Sequence, residues 1–327
     1  MPTRVFTGLK PTGRLQLGNY LGAIRPLLGL AADPGNDVLV SIVDLHALTV
    51  DHDPVRLREL TIELAATLLA CGLDPSVPLF VQSAVPAHTE LGYLLECTAT
   101  YGEMTRMIQF KEKSRGQEST RLSLLTYPAL MAADVLAYQT EVVPVGEDQR
   151  QHLELATTLA RRFNGRYGEV FTVPRAVTPP SVARIKDLRR PTEKMGKSGA
   201  DGSGVLFLLD DPDTLVAKVR RGVTDSDSVL GFDPATRPGV ANLAVLLGAF
   251  TGTPPERALE GLHGAGSLKN AVADVLVESL SPIQKAYRDL MADPSTLLAS
   301  LRVGAETVGS IASDTVSRAR QAMGLLG

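Results

Sequence analysis

Cysteine is scarce in this chain, which has only Cys71 and Cys97 among its 327 residues. Two cysteines so far apart in sequence are too few for a disulfide framework or for a zinc knuckle. We therefore expect no metal site in the protein, and we expect both thiols to be buried as small apolar side chains.

Long apolar runs are absent too. Charged residues interrupt every apolar stretch before it reaches the roughly 18 residues that a membrane-spanning helix needs. The chain begins Met-Pro-Thr-Arg-Val-Phe, without a charged and then apolar leader. These absences predict a cytoplasmic protein that has no membrane partner.

An excess of positive charge is also missing, because 33 basic residues face 36 acidic ones and the net charge is −3. This balance argues against a globally basic DNA-binding protein, so we expect no DNA partner, and any contact with RNA must use local patches. What the chain does have is 44% hydrophobic and 21% charged residues, a composition typical of a well-packed globular protein.

Strand-length apolar runs alternate with helical patterns in the first half of the chain. The runs cover residues 4–7, 38–43, 79–82 and 141–145. The clearest helix begins after Asp53 and Pro54 and repeats apolar residues on one face. This alternation predicts an α/β fold with a Rossmann-like doubly wound parallel sheet, whose ligands bind at the carboxyl ends of the strands.

The pattern changes near residue 189, where a glycine-rich stretch precedes mostly helical sequence with Gly and Pro breaks. We therefore expect a smaller C-terminal helical domain. The predicted division is a Rossmann-like domain at 1–188, a mobile lysine loop with a helical domain at 189–293, and closing helices at 294–327.

Glycines punctuate the turn after the first strand and lead into a helix at Gly18 and Asn19. A helix start of this kind exposes N–H groups that can bind a phosphate, although an ordinary glycine turn explains the pattern about as well. A second candidate is Lys-Met-Gly-Lys-Ser at 194–198, which places two cations on one loop. It could close over a triphosphate or be a solvated linker. It is not a Walker loop, because Pro191 stands where the leading glycine should be.

Tyr127, Met131 and Asp134 share one face of a predicted apolar helix. A buried Asp needs a hydrogen-bond donor, which a ligand N–H, a nearby backbone group or a Tyr could supply. His46 and the polar stretch 146–152 each follow an apolar strand, where doubly wound sheets bind ligands.

Taken together, these segments resemble the bacterial tryptophanyl-tRNA synthetases, which are class I aminoacyl-tRNA synthetases. The resemblance runs from Phe6 almost to the C-terminus. Residues 16–19, Gln-Leu-Gly-Asn, stand where class I enzymes carry His-Ile-Gly-His, and residues 194–198 stand where they carry Lys-Met-Ser-Lys-Ser. Segments 85–88, 109–113, 125–128, 131–134 and 145–149 also resemble the family in order and spacing.

The resemblance implies an enzyme that activates L-tryptophan with ATP and Mg²⁺ and then charges tRNA(Trp), and it implies a homodimer. It places Asp134 on the indole N–H, and Tyr127 and Gln149 on the amino group. The full tryptophan set implied is Phe6, Lys10, His46, Tyr127, Met131, Asp134, Val143 and Gln149. The ATP set is Lys10, Thr12, Gly18, Asn19, Gln109, Lys113, Gly146, Asp148, Arg184, Lys194, Met195, Lys197 and Ser198. The residues implied to act in catalysis are Lys113, Lys194 and Lys197.

The chain departs from the family pattern at three places. Lys10 replaces a Gln found in many members, which leads us to expect an altered response to tryptophan analogues. Gly196 replaces a Ser of the lysine loop, and Gly-Ala at 199–200 replaces Asp-Pro. Three alternatives remain at this point: a tyrosyl-tRNA synthetase, a noncatalytic paralogue, and a small nucleotidyltransferase of related fold. Met-Ala-Ala-Asp at 131–134 favours tryptophan over tyrosine, and the intact lysines favour an active enzyme.

Overall fold

The structure is a computed structural model that describes residues 2–115, 119–146, 149–177, 185–196, 202–227 and 229–326. The contacts between residues divide the chain into two compact units. Unit 1 comprises Met1–Thr12, Leu28–Pro179 and Met291–Gly327, and unit 2 comprises Gly13–Leu27 and Pro180–Leu290. Each unit is described by itself below.

Unit 1 contains a five-stranded parallel sheet with the order β3-β2-β1-β4-β5. The strands are β1 Thr3–Leu9, β2 Asn36–Ile42, β3 Leu79–Val81, β4 Val142–Pro144 and β5 Arg175–Val177. The strand order reverses between β1 and β4, which is the arrangement that defines a doubly wound sheet and its ligand crevice. The predicted fold class is therefore confirmed. The short edge strand β5 was not predicted.

Helices make up most of the remaining regular structure. In chain order they are α1 Leu17–Asn19, α2 Arg25–Ala32, α3 Pro54–Ala70, α4 Ala87–Glu96, α5 Tyr101–Arg106, α6 Ile108–Ser114, α7 Leu122–Leu136, α8 Arg150–Tyr167, α9 Pro212–Arg220, α10 Pro238–Thr251, α11 Gly264–Ala292 and α12 Ser295–Ala322. A π-helical turn, Tyr20–Ile24, joins α1 to α2. In the described ranges, no helix is both long and apolar enough to cross a membrane.

The predicted start of α3 is confirmed. The Asp53 carboxylate accepts the backbone N–H of Arg56 at 2.8 Å, and Pro54 occupies the first turn, where its missing N–H costs nothing. Leu64 and Leu68 are buried on the face that the sequence pattern predicted. Local capping and amphipathic spacing are sufficient to define this helix.

The core of unit 1 forms between the sheet and helices α4, α7, α8 and α12. Phe80, Tyr138 and Phe163 are its largest fully buried side chains. Helix α12 approaches β3 so closely that a Cβ on Gly304 would lie 2.2 Å from the carbonyl oxygen of Leu79. The C-terminal helix is thus part of the same compact unit as the sheet. The domain boundaries predicted at residues 188 and 293 concern the division of function along the chain, and they stay a prediction.

In unit 2 the segment before α1 pairs with the chain around Phe207. The Leu17 N–H donates to the Leu206 carbonyl at 2.9 Å, and the Leu208 N–H donates to the Leu15 carbonyl at 2.9 Å. The apolar helix α10 is buried over most of its length. Unit 2 therefore holds both the Gly18-Asn19 segment and the described part of the lysine loop.

The expectation that both cysteines are buried is wrong for Cys97. Cys97 is exposed at the C-terminal cap of α4. Cys71 is partly buried, and burial raises the pKa of its thiol to about 12.

Candidate active site

Asp134 is a buried carboxylate on α7 with three side-chain partners. Only 2% of it is exposed. Its Oδ2 lies 2.7 Å from His46 Nε2, and its Oδ1 lies 2.7 Å from His88 Nδ1. Gln82 Nε2 donates to Oδ1 at 2.6 Å. From the sequence, the hydrogen-bond donor to Asp134 could be a ligand, a backbone group or a Tyr. In the structure, its partners within the protein are two imidazoles and an amide.

The three partners of Asp134 come from segments that follow two neighbouring strands. His46 lies in the 3₁₀ turn Leu45–Thr49 after β2, and Gln82 lies in the turn directly after β3. His88 is in the first turn of α4. The Gln82 Oε1 also accepts the backbone N–H of Leu45 at 3.0 Å, which ties the two strand ends together. This is the edge of the sheet at which doubly wound folds bind ligands.

The Asp134 carboxyl is ionised at neutral pH. Burial favours its neutral form, but the interactions with His46 and His88 outweigh burial and lower its pKa to about 2. A carboxylate can accept about four hydrogen bonds, so with three donors in place Asp134 can accept about one more. The site can therefore bind one N–H donor next to His46.

A second layer of buried groups lies behind Asp134. The Tyr138 hydroxyl is 2.7 Å from His88 Nε2. Burial, and then the charge of Asp134, raises the Tyr138 pKa far above its usual range, so its hydroxyl stays protonated. Phe6 stacks on the Tyr138 ring, with 5.7 Å between centroids. The predicted residue Phe6 therefore supports this layer.

Tyr127 connects the Asp134 cluster to two residues predicted to bind ATP. Its ring meets the edge of the His46 ring, with 6.1 Å between centroids. Its hydroxyl lies 2.5 Å from His152 Nε2 and 3.4 Å from Gln109 Oε1, and Lys113 Nζ donates to the same Gln109 oxygen at 3.2 Å. Burial raises the Tyr127 pKa to about 12, so the hydroxyl is neutral.

Lys10 and Lys113 place positive charge beside this cluster. Lys10 is partly buried, and burial followed by the charge of Lys113 lowers its pKa. The two ammonium groups repel each other, and an anion that binds near both of them offsets this repulsion. This part of unit 1 is suited to a phosphate or carboxylate ligand.

In unit 2, Lys194 lies on a small hairpin. Lys186 pairs with Lys194 in an antiparallel bridge, and the Met195 N–H donates to the Ile185 carbonyl at 3.2 Å. The Met195 side chain is 4% exposed and packs into the unit. The lysine loop therefore has an ordered base.

Asn242 of α10 anchors the hairpin base. Its Nδ2 donates to the Lys186 carbonyl at 2.9 Å, and its Oδ1 accepts the Lys186 N–H at 2.8 Å. Asp187 fixes the following turn, because its Oδ1 accepts the N–H groups of Arg189 and Arg190. A Cβ on Gly204 would lie 2.0 Å from that Oδ1, so only glycine fits there. The side chains of Asn242 and Asp187 thus hold the chain segment that precedes Lys194.

The remaining predicted residues are placed as follows. The Asn19 Oδ1 accepts the Gln16 N–H at 3.3 Å, and the position of a Cβ on Gly18 has no atom within 4 Å. Val143 is buried in β4, and Met131 is partly buried on α7. The remaining positions in the described ranges are Thr12 at the end of a unit 1 segment, exposed Gly146, partly buried Gln149 and partly buried Gly196 at the base of the lysine loop. The predicted positions that lie outside the described residues are Asp148, Arg184, Lys197, Ser198, Gly199 and Ala200.

Five buried polar residues of these clusters, among the residues described, were not predicted from the sequence: Gln82, His88, Tyr138, Asp187 and Asn242. Each stands in or next to an apolar segment, which is the signal that could have identified them. Gln82 directly follows a strand, and His88 belongs to the segment 85–88 that resembles the family.

The fold and this cluster define an α/β protein with a polar ligand site at the strand ends of a doubly wound sheet. A sequence model of the family described as "tRNA synthetases class I (W and Y)" matches residues 1–281. The chain is 52% identical to Tryptophan--tRNA ligase 1 of Streptomyces coelicolor, with 99% of this chain and 98% of the relative covered. It is 48% identical to Tryptophan--tRNA ligase of Caldanaerobacter subterraneus subsp. tengcongensis, again with 99% and 98% covered.

Solved structures agree with the sequence relatives. The tryptophanyl-tRNA synthetase of Mycoplasma pneumoniae has a TM-score of 0.87 at 35% identity, covering 100% of this chain and 99% of that one. The Campylobacter jejuni enzyme, solved with ADP and tryptophan, has a TM-score of 0.86 at 30% identity, covering 99% and 100%. The chain therefore belongs to the class I tRNA synthetases for tryptophan and tyrosine, and within them to the bacterial tryptophanyl-tRNA synthetases.

Proposed function

We propose that this chain is a tryptophan–tRNA ligase that works in two steps. It first joins L-tryptophan to ATP, giving tryptophanyl-adenylate and pyrophosphate, and it then transfers tryptophan to the 3′ end of tRNA(Trp). The observation that carries the proposal is the buried, ionised Asp134, which has capacity for one further hydrogen-bond donor such as an indole N–H. Tyrosine offers a phenolic O–H donor instead, and the identity to tryptophan–tRNA ligases supports tryptophan over tyrosine.

The amino-acid side of the proposal uses unit 1. Asp134 Oδ2 accepts the indole N–H, and His46 lines the same pocket. Tyr127 and Gln149 hold the amino group of tryptophan, with the neutral Tyr127 hydroxyl as a polar contact. The apolar residues assigned to the indole ring are Phe6, Met131 and Val143.

The phosphate side of the proposal relies on positive charge. In the first step the tryptophan carboxylate attacks the α-phosphate, and stabilisation of the charge on the departing pyrophosphate is the main demand. Lys113 and Lys194 supply this charge together with Lys197, and Lys10 adds to it. The ATP contacts assigned by resemblance are Thr12, Gly18, Asn19, Gln109, Gly146, Asp148, Arg184, Met195 and Ser198. No general base is assigned.

Mg²⁺ is proposed to arrive bound to ATP. In the described part of the chain, no group of three or more His, Cys, Asp or Glu side chains could hold a metal ion. We assign no step to the ion.

The tRNA partner is proposed to contact exposed arginines of unit 2. Arg189, Arg190, Arg220 and Arg221 are all exposed, and the Arg189 side chain donates to the Arg221 carbonyl, which brings two of them together. Arginines of this kind bind phosphates without reading sequence. We further propose that the enzyme is cytoplasmic and a homodimer, with 189–293 as the anticodon-side domain. Equilibrium sedimentation at twice the chain mass would support the dimer, and the monomer mass would refute it.

The experiment that tests the ligase activity is charging of a tRNA(Trp) transcript with labelled tryptophan. The wild-type protein is expected to form acid-precipitable tryptophanyl-tRNA. Lys194→Ala is expected to lower the rate by at least about 100-fold, because it removes one group that stabilises developing charge. Charging with tyrosine in place of tryptophan would refute the proposal.

The predicted change in analogue response depends on Lys10. Burial and the charge of Lys113 lower the pKa of Lys10, so an anionic group of the amino acid or of the phosphates would stabilise its charged form. Lys10→Gln is therefore expected to change the inhibition constants of tryptophan analogues. Identical inhibition constants for the variant and the wild type would eliminate this hypothesis.

A further inference from the structure

Tyr138, His88 and Asp134 form a buried chain of hydrogen bonds that ends at the proposed indole site. The distances are 2.7 Å from the Tyr138 hydroxyl to His88 Nε2 and 2.7 Å from His88 Nδ1 to Asp134 Oδ1. Tyr138 and His88 are fully buried, and neither is among the residues assigned to a substrate. We propose that His88, held by Tyr138, is a positioning residue that orients Asp134 and so sets the preference for an amino acid with a ring N–H. This inference rests on the proposed function.

The hydrogen positions follow from the chemistry of the groups. An ionised carboxylate only accepts hydrogen bonds, so His88 Nδ1 must carry the hydrogen that points at Asp134. In a neutral imidazole with Nδ1–H, Nε2 is an acceptor, and the Tyr138 hydroxyl then donates to it. Tyr138 therefore stabilises the one tautomer of His88 that can donate to Asp134.

His88 also determines which oxygen of Asp134 a ligand can use. Oδ1 accepts from both His88 and Gln82, and two hydrogen bonds fill the capacity of one oxygen. Oδ2 accepts from His46 alone among the residues described, so one position is left on it. Holding Oδ1 in the core prevents rotation of the carboxylate and keeps Oδ2 available for the ligand.

Substitutions can distinguish the hydrogen bond that His88 donates to Asp134 from the packing of the His88 side chain. His88→Leu removes the donor to Oδ1. His88→Asn keeps a donor, because the Asn Nδ2 occupies nearly the place of His Nδ1, and combination with Tyr138→Phe avoids an unpaired buried hydroxyl. Tyr138→Phe alone keeps the ring that stacks on Phe6 but removes the hydroxyl that stabilises the Nδ1–H tautomer of His88.

The test compares tryptophan with β-(3-benzothienyl)-L-alanine, in which sulfur replaces the indole N–H. The readout is the ratio of kcat/KM for the two amino acids in amino-acid-dependent exchange of pyrophosphate into ATP. We expect His88→Leu to lower this ratio by about 10-fold, through the KM for tryptophan, since a hydrogen bond to a charged group is lost. Tyr138→Phe should lower it by about 3-fold, and the His88→Asn/Tyr138→Phe double variant should restore it to near the wild-type ratio.

Thr140→Val is the matched control. Thr140 is fully buried, and among the described residues its hydroxyl has no hydrogen-bond partner, so its removal should leave the ratio unchanged. If His88→Leu does not fold, Tyr138→Phe and the double variant still test the proposal. Equal losses for both amino acids, an unchanged ratio in Tyr138→Phe, or a lowered ratio that the double variant does not restore, would overturn the positioning role. Absence of tryptophan-dependent exchange in the wild type would instead refute the proposed function.

Discussion

At the scale of single residues, the charge of Asp134 is decided by its partners and not by its burial. A carboxylate with 2% exposure would lose its charge in an apolar environment, but two imidazoles and an amide compensate for the lost water. The result is a fixed negative group in the core of unit 1. Such a group would discriminate against a ligand that places no hydrogen-bond donor beside it, because one acceptor position then stays unpaired.

Asp134→Asn should selectively impair the use of tryptophan. The amide carries an NH₂ where the carboxylate accepts hydrogen bonds, so at least one of the surrounding donors then faces another donor. We expect kcat/KM for tryptophan to fall by about 10- to 100-fold, with the KM for ATP within about 3-fold of the wild type. Steady-state pyrophosphate exchange measures both. An equal rise in both KM values would contradict a specific contact with the amino acid.

The ion pair between Glu103 and Arg162 gives a prediction about pH. Arg162 donates two hydrogen bonds to Glu103, at 2.9 and 2.6 Å, and this contact is the main reason that the pKa of Glu103 is lowered to about 2. A pKa lower in the folded than in the unfolded state adds stability above the unfolded pKa, and this stability is lost as the pH falls towards 2. Glu103→Gln should therefore destabilise unit 1 by up to about 1 kcal/mol at pH 7.

The destabilisation by Glu103→Gln should decrease below about pH 4.5, and urea unfolding between about pH 7 and 2.5 would show it. The control is Glu154→Gln on α8, because Glu154 lies 3.9 Å from Arg150 in an exposed pair that should contribute little. A destabilisation by Glu103→Gln that stays constant with pH would argue that the charge of Glu103 is irrelevant.

At the scale of elements, the approach of α12 to β3 depends on Gly304. A methyl group there would lie 2.2 Å from the Leu79 carbonyl oxygen, so helix and strand would have to separate. Gly304→Ala should destabilise the protein by about 1–3 kcal/mol. A Cβ on Gly309, on the same helix, would have no atom within 4 Å. Gly309→Ala should therefore be neutral or stabilise the protein by up to about 1 kcal/mol. Thermal unfolding of the pair checks this, and equal effects of the two substitutions would contradict it.

The hairpin that carries Lys194 depends on Asn242. Asn242→Leu removes both hydrogen bonds to Lys186 and should loosen the base of the lysine loop. We expect kcat for pyrophosphate exchange to fall by about 10-fold, with the KM for tryptophan unchanged, since only the positioning of the lysine is affected. Thr251→Val, at the other end of α10, should leave kcat unchanged. A higher KM for tryptophan without a change in kcat would contradict this role of Asn242.

The elements differ in how far the sequence predicts them. The runs at 4–7 and 38–43 and the capped helix α3 carry strong local patterns, and the structure confirms them. Strand β5 has three residues, two of them exposed, and so leaves no alternating pattern to detect.

In the site, Asp134, His46 and Tyr127 were predicted through the family resemblance. The partnership of Asp134 with His88 and Gln82 was not, because it joins residues 46 and 52 positions apart that only the fold brings together.

At the scale of the whole molecule, the two units carry different parts of the proposed chemistry. The tryptophan contacts all belong to unit 1, and Lys194 belongs to unit 2. Substitutions in unit 1 around Asp134 should therefore act on the use of the amino acid, and Lys194→Ala should act mainly on the rate of adenylate formation. The expected separation follows because the proposed amino-acid contacts belong to unit 1, whereas Lys194 is proposed to act on the phosphates only.

We propose that this enzyme activates tryptophan and selects it over tyrosine. Amino-acid-dependent exchange of labelled pyrophosphate into ATP by the purified protein tests both points at once, with tryptophan and tyrosine compared at equal concentrations. We expect exchange with tryptophan and none above background with tyrosine. Exchange that prefers tyrosine, or no exchange with either amino acid, would refute the proposed activity.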